Sequence, residues 1–320
     1  MTGASSGLGR AAALDFARQG CNVVLAARRQ QELEDVARMC REAGGESLVV
    51  RTDVTEEAAV QHLAAEALRL TGSIDVWVNN AGVTAFGMLE DVPSDEHRRV
   101  IETNVFGAMY GARAVLPIFK RQRAGILINV SSILGKVGQP YVPSYVVSKF
   151  AVRGLSETLR TAVADDPDIH VCTLLPYAFN SFHFESGANH VGLDAHAMAP
   201  EQAVEKVARA LVSLAERPRR ELHVPRYAAL GLAMHAVMPE TVETTILALV
   251  REWHFGYRPI GAMAGNLFAP PPDRAGVKGH RPARASLGKM IAWIAGRYAK
   301  RALTPRPLTS RPAAMHPHAP

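Results

Sequence analysis

Tyr145 and Lys149 stand four residues apart in the run YVVSK. On a helix that spacing places both side chains on one face, a turn apart. A free phenol, with a pKa near 10, is a poor acid at neutral pH. An ammonium about 4 Å away at an effective dielectric near 20 is worth about 4 kcal/mol, roughly three pKa units before desolvation is subtracted. The pair therefore reads as a proton donor to an oxygen that gains negative charge during a reaction. A second constellation opens the chain, where residues 2–9 read TGASSGLG and run into the helical stretch RAAALDFARQG, which ends at Gly20. Gly3, Gly7 and Gly9 let such a loop turn tightly and approach a pyrophosphate, whose charge then rests on the helix N-terminus. A third lies in VVLAARRQQELE, where Arg28 and Arg29 follow an apolar run. A site for an unphosphorylated ribose usually carries a carboxylate there, whereas an arginine pair attracts a 2′-phosphate.

The elements that must hold these residues are legible as alternating patterns. Apolar runs at 21–27, 47–54, 74–80, 125–132, 169–176 and 221–225 read as strands, and 31–43, 55–71, 96–120, 144–165 and 200–215 carry a helical period. Near-continuous apolar strands separated by amphipathic helices imply an α/β fold: a Rossmann-like, doubly wound parallel sheet with helices on both faces. Ligands are expected at the carboxyl ends of its strands. Residues 1–227 are read as this catalytic domain, 228–285 as a partly helical, irregular extension, and 286–320 as a basic amphipathic helix with a disordered tail.

Composition narrows the function classes. Of 320 residues, 48% are hydrophobic, ample for a large core. The net charge of +6 is concentrated at one end: residues 251–320 carry 12 Lys/Arg against 2 Asp/Glu, and the first 250 carry 24 against 28. A mildly acidic body removes the case for nucleic acid as partner. Three cysteines without metal spacing suit a reducing compartment, and the chain reads as cytoplasmic. The tail stretch 286–301, with Trp293 and Tyr298, reads either as a peripheral membrane contact or as a helix packed on the body or on a second subunit.

The runs TDV (52–54), NNAG (79–82), ETNVFG (102–107), NVSSILG (129–135) and YVVSK (145–149) follow in that order, with a serine 13 residues before the tyrosine. Together with the glycine loop they resemble the short-chain dehydrogenase/reductase family over roughly residues 2–226. The resemblance implies an NADP(H)-dependent oxidoreductase acting on a small-molecule carbonyl or secondary alcohol, and a homo-oligomer. It makes Tyr145 the general acid/base, with Lys149 lowering its pKa and binding the nicotinamide ribose. Ser132 would orient the substrate oxygen, Ser131 being disfavoured only by spacing, and Asn104 would hold a water that relays protons from Lys149. Gly3, Ser5, Ser6, Gly7, Leu8 and Gly9 would cradle the cofactor phosphates, Asp53 and Val54 would contact adenine, and Asn80, Ala81 and Gly82 would line the ribose side. Arg28 and Arg29 would take the 2′-phosphate, and Pro176 and Ser181 would flank the nicotinamide. No metal is expected, because His183 and His190 lack a third ligand at any useful spacing.

Two departures from the family pattern stand out. The sixth strand ends in LLPYAFNSFHFES, with Tyr177 where the family often has glycine and Ser181 where it has threonine. Tyr177 is expected to wall the substrate pocket, as is Tyr141, and the aromatic stretch that follows Tyr177 reads as a bulky lid. The strand that should precede the glycine loop is also missing, since Met1 stands where its last residue belongs. That strand would be central, and unpaired buried backbone groups cost about 1–3 kcal/mol each. The expectation is a native start further upstream, or another segment in the gap, and weak cofactor binding by the chain as it stands. A cofactor-binding scaffold without catalysis is the alternative function.

Overall fold

The computed structural model describes residues 1–270 and 276–303, with side chains up to residue 299. In chain order the first half contains α1 (Gly7–Arg18), β1 (Val23–Ala27), α2 (Gln30–Glu42), β2 (Ser47–Arg51), α3 (Glu57–Thr71), β3 (Val76–Asn79), β4 (Ala85–Phe86), α4 (Ser94–Ile101), α5 (Gly107–Gln122) and β5 (Gly125–Val130). The second half contains α6 (Pro143–Ala162), β6 (Ile169–Pro176), α7 (His183–Ser186), β7 (Ala188–Asn189), β8 (Leu193–Ala195), α8 (Val204–Glu216), β9 (Glu221–Val224), α9 (Ala228–Val237), α10 (Pro239–Leu249), β10 (Phe255–Pro259) and α11 (Leu287–Leu303). The six strands and five helices expected from the periodicity are all present. The stretch 96–120 is the exception to continuity, because a π turn at Glu102–Phe106 separates α4 from α5.

β3, β5, β6 and β9 form one parallel sheet, and β1 pairs with β2 in parallel beside it. The seam between the two groups is not vacant. Met1 and Thr2 run along it, with the Met1 amino group donating to Val24 O, Ala26 N donating to Met1 O, and Thr2 N donating to Val78 O. Met1 thus lies where the last residues of the expected first strand belong, and Met1 and Thr2 bond both neighbours there. Towards the amino ends no other described strand enters the seam.

Side chains on each strand alternate between two cores, as the pleat requires. Leu25, Val78, Ile128 and Leu174 pack with α1, α2 and α8, whereas Ala26, Trp77, Leu127 and Val171 pack with α3 and α5. A chain of buried amides ties the second face together. Trp77 Nε1 donates to Asn79 Oδ1, Asn79 Nδ2 to Asn129 Oδ1 at 2.9 Å, and Asn129 Nδ2 to Ser156 Oγ on α6 at 2.9 Å.

Beyond β9, the chain builds a third cluster around Phe86, Leu249, Val250, Trp253 and Phe255. In α11, Met290, Trp293 and Ile294 lie against this cluster, and the Trp253 and Trp293 rings are 5.2 Å apart. The apolar face noted at 286–301 is thus largely spent on the body, leaving Leu287 and Ile291 as its exposed large apolar residues. Among the described residues no helix is long and apolar enough to cross a membrane. Of the last 20 residues, expected to lack structure, 301–303 belong to α11 and the remainder lies outside the described residues.

Candidate active site

A cavity of about 310 Å³ opens at the carboxyl ends of the parallel strands. The loop after Thr2 supplies one wall through Gly3, Ser5, Ser6, Gly7, Leu8 and Gly9. Two of these positions demand glycine. Gly3 has φ +67°, and a Cβ on Gly9 would run into the Gly3 carbonyl. Thr2 knits this loop to the end of β3: its Oγ1 accepts from Asn80 N at 3.0 Å and from Ala81 N at 3.1 Å, and its carbonyl accepts from Asn80 Nδ2. Asn80, Ala81 and Gly82 border the cavity as a result.

Arg28 and Arg29 follow β1, and Asp53 and Val54 follow β2, all four on the cavity wall. Burial alone would raise the Asp53 pKa, but hydrogen bonds from Thr55 and the Arg99 and Arg28 cations hold it below its ordinary value. Arg29 donates to Ser5 Oγ at 3.2 Å and pairs with Glu32 at 3.2 Å. Arg28 does not stand ready for a phosphate as expected. Its guanidinium donates to the carbonyls of Asn266, Leu267 and Phe268 at 2.6, 3.1 and 3.3 Å. The same C-terminal segment returns at the glycine loop, where Gly7 N donates to Gly276 O at 2.9 Å. Nothing in the spacing of residues 260–280 announced this crossing, which is anchored by the fully buried Leu267.

The residues expected to transfer the proton lie after β5 and on α6. Pro143 opens α6 at a position where its missing N–H costs nothing, which places Tyr145 in the first turn and Lys149 one turn on. Ser131 and Ser132 follow β5, and their roles separate. Ser131 Oγ is spent on Lys149 O at 2.8 Å, whereas Ser132 hydrogen-bonds the Tyr145 phenol. Lys149 is 4% exposed, donates to Val130 O at 2.9 Å, and holds its Nζ 5.3 Å from the centre of the Tyr145 ring. Burial pushes the Tyr145 pKa up to about 12, with Ser132 pulling the other way. Burial likewise pushes Lys149 down to about 8. The ammonium lies near the ring and serves a carbonyl, and desolvation outweighs it in setting the phenol's proton affinity. The phenol stays protonated at neutral pH.

Asn104 sits in the π turn, 3% exposed, and a Cβ placed on Gly82 would meet both its Oδ1 at 3.4 Å and Lys149 Nζ at 3.6 Å. Asn104 Oδ1 accepts from Val83 N at 2.8 Å, and its Nδ2 donates to Val83 O and to Ser148 Oγ at 2.9 Å. Both donor hydrogens are used and one lone pair is left on Oδ1, which makes the side chain a strut for the first turn of α6. Ser148 completes that strut by donating to Tyr145 O at 2.7 Å.

Pro176, Tyr177 and Ser181 lie on the cavity wall after β6. Tyr177 donates its hydroxyl to Ala199 O at 2.8 Å. Tyr141 is not a pocket wall: it packs 5.2 Å from the Phe255 ring with φ +66°. The expected aromatic lid is present in Phe179, Phe182, His183 and Phe184, all of which border the cavity. His190 turns away and pairs with Glu96 at 2.8 Å. His254, in a second π turn at Val250–His254, also borders the cavity, and no motif marked it in the sequence.

Comparison with known proteins agrees with this geometry. The family model described as short chain dehydrogenase matches residues 1–192. The uncharacterized oxidoreductase YxnA of Bacillus subtilis (strain 168) is 30% identical over 262 residues, covering 81% of this chain and 74% of that protein. Dehydrogenase/reductase SDR family member 7 of Homo sapiens is 36% identical over 180 residues, 55% of this chain and 53% of that one. Among solved structures, an alcohol dehydrogenase from the archaeon Thermococcus sibiricus complexed with 5-hydroxy-NADP aligns with a TM-score of 0.62 and 29% identity, covering 70% of this chain and 93% of that chain. A short chain dehydrogenase/reductase from Burkholderia phymatum in complex with NAD aligns with a TM-score of 0.67 and 27% identity, covering 75% and 92%. The chain belongs to the short-chain dehydrogenase/reductase family of oxidoreductases.

Proposed function

We propose that the protein is an NADP(H)-dependent oxidoreductase that moves a hydride between the nicotinamide and the carbon of a ketone, aldehyde or secondary alcohol. The observation that carries this reading is the convergence of Ser132, Tyr145 and Lys149 on the same cavity as the glycine loop. The loop fits a dinucleotide: the left-handed Gly3 and the side-chain-free Gly9 keep it close to the start of α1, where a pyrophosphate is favoured. When bound, the nicotinamide supplies or accepts the hydride. In reduction, the substrate oxygen gains charge and takes the Tyr145 proton, and Ser132 Oγ donates a hydrogen bond to the same oxygen. The Lys149 ammonium steadies the phenolate left behind, and Asn104 and Ser148 fix the turn that carries Tyr145.

NADP(H) over NAD(H) is supported by Arg28 and Arg29 at the end of β1, where no carboxylate stands. Solved relatives hold either cofactor, so the side chains must decide. A homo-oligomer is supported by an exposed apolar patch of Phe106, Met109, Val147 and Phe150 on the π turn, α5 and α6. One observation favours the scaffold alternative: Gly7 N and Arg28 are both engaged by the C-terminal segment.

Steady-state assays of NADPH oxidation with a panel of uncharged ketones test the leading reading. Tyr145→Phe is expected to lower kcat by about 10³-fold, within the usual range for a lost general acid, while NADPH affinity stays within about threefold. Equal turnover by variant and parent would leave the scaffold standing. Replacing both Arg28 and Arg29 by alanine should weaken NADPH about 100-fold and NADH little, since each charged hydrogen bond lost is worth about 1.5–3 kcal/mol. A parent that binds both cofactors equally refutes the NADP assignment.

Lys149 offers a test through stability. Its folded pKa of about 8 lies below its unfolded value of 10.5, so holding it charged costs folding energy below pH 8. That cost fades between pH 8 and 10.5, where the unfolded chain binds more protons. Lys149→Met should therefore gain about 2–3 kcal/mol of stability at pH 7, vanishing near pH 10.5, while losing turnover. Urea titrations at both pH values read this, and a destabilised variant at pH 7 contradicts it. Val147→Asp should shift the molecular mass in sedimentation towards the monomer, whereas an unchanged mass removes this face as the subunit contact.

A further inference from the structure

The inner end of the cavity is built from rings. From the Tyr145 phenol the wall passes to His183, whose ring centre is 5.2 Å away, then to Phe184 at 5.9 Å and His254 at a further 5.9 Å. Phe86 closes the far side, 5.7 Å from His254 and 6.4 Å from Phe184. Tyr177 and Met198 complete the enclosure. The charged side chains on the cavity wall are Arg28, Arg29 and Asp53, at the expected adenosine end, and Lys149 beside Tyr145. Among the described residues, Lys149 is the one fixed charge at the edge of the ring-lined chamber.

The chamber's two imidazoles are uncharged. Burial, followed by the Lys149 and His254 charges, brings His183 down to about 4. Burial brings His254 to about 4, and both of its ring nitrogens are enclosed without a hydrogen-bond partner. An anion entering here would meet no cation beyond Lys149 and would lose its hydration. Flat apolar groups, by contrast, find edge and face contacts on four sides.

The two imidazoles differ in access. His254 is 2% exposed behind Phe86, Phe184 and Phe255. His183 is half-buried, borders the cavity next to the proton-donating phenol, and has no hydrogen bond to its ring from any described residue. A neutral imidazole there offers one N–H donor and one lone pair. Its place beside Tyr145 puts those groups within reach of a substituent one or two bonds from the reacting carbon.

We infer that the chamber selects uncharged, ring-bearing carbonyl or alcohol substrates, and that His183 determines specificity by hydrogen-bonding a second neutral polar group beside the reacting carbon. The inference rests on Tyr145 being the proton donor to the substrate. A pocket built to pair with a polar substituent discriminates strongly against the analogue that lacks it, because its own polar group is then left unpaired.

The test compares cyclohexane-1,2-dione, cyclohexanone and phenylpyruvate, with NADPH, in the full chain and in His183→Phe and His183→Asn. In the parent, kcat/KM for the dione should exceed that for cyclohexanone and for phenylpyruvate by at least about tenfold. His183→Phe should bring the dione-to-cyclohexanone ratio down by about tenfold, mostly through KM, and His183→Asn, which keeps a donor and an acceptor, should restore most of it. An unaltered ratio in His183→Phe, or a preference for phenylpyruvate, overturns the proposal. Binding of the dione, followed by quenching of tryptophan fluorescence, gives a readout that needs no turnover. About tenfold weaker binding by His183→Phe supports the chamber even if no hydride moves, a result that would sink the oxidoreductase reading alone. Equal binding sinks the chamber.

Discussion

The hydrogen bond from Asn79 Nδ2 to Asn129 Oδ1 sits where β3 and β5 reach their carboxyl ends, and much of the site hangs from it. Asn79 also accepts from Trp77 and donates to Ala108 O, while Asn129 reaches Ser156, so one pair of amides joins two strands, α5 and α6. In a buried setting such groups cost heavily when unpaired and are tolerable only as a complete network. This one is complete, and it delivers two things to one place: the turn of Asn80 to Gly82, and the register of the helix that bears Tyr145 and Lys149. A smaller network repeats the logic one layer nearer the cavity, with Asn104 holding Val83 on one side and Ser148 on the other.

The central seam holds the glycine loop through Met1 and Thr2. Thr2 is 2% exposed and bonds β3 through its backbone, while its hydroxyl gathers Asn80 and Ala81. The loop that follows is therefore fixed relative to β1 and β3 together, which brings its glycines into the same cavity as Arg28, Arg29 and Asp53.

Much of this was legible in the sequence because the signals are local and periodic. Continuous apolar runs gave β5 and β6, the four-residue spacing put Tyr145 and Lys149 on one helix face, and the glycine loop opened α1. What escaped depended on contacts between distant residues. Leu267 reads as one leucine in a proline-rich stretch, yet it is fully buried among Val83, Ala85 and Val100 and carries the segment that caps Arg28. His254 reads as an isolated histidine, and only the packing of Phe86 and Phe184 against it reveals its setting. The π turn at Glu102–Phe106 was invisible as well, since ETNVF carries an ordinary helical pattern and the extra residue is imposed by Asn104 reaching across to Val83 and Ser148.

Burial, more than pairing, governs the electrostatics of this site. Sequence spacing measures the distance between a phenol and an ammonium, but it says nothing of the solvent removed from both. With Tyr145 pushed up to about 12 and Lys149 pushed down to about 8, the two groups part in proton affinity, the phenol holding its proton more tightly and the ammonium less. The neutral phenol is thus the resting form, and any negative charge created on it would lie beside an ammonium in a dry cavity, where the attraction is strongest. The same dryness keeps His183 and His254 neutral, so one physical cause shapes both the Tyr145 phenol and the chamber beside it.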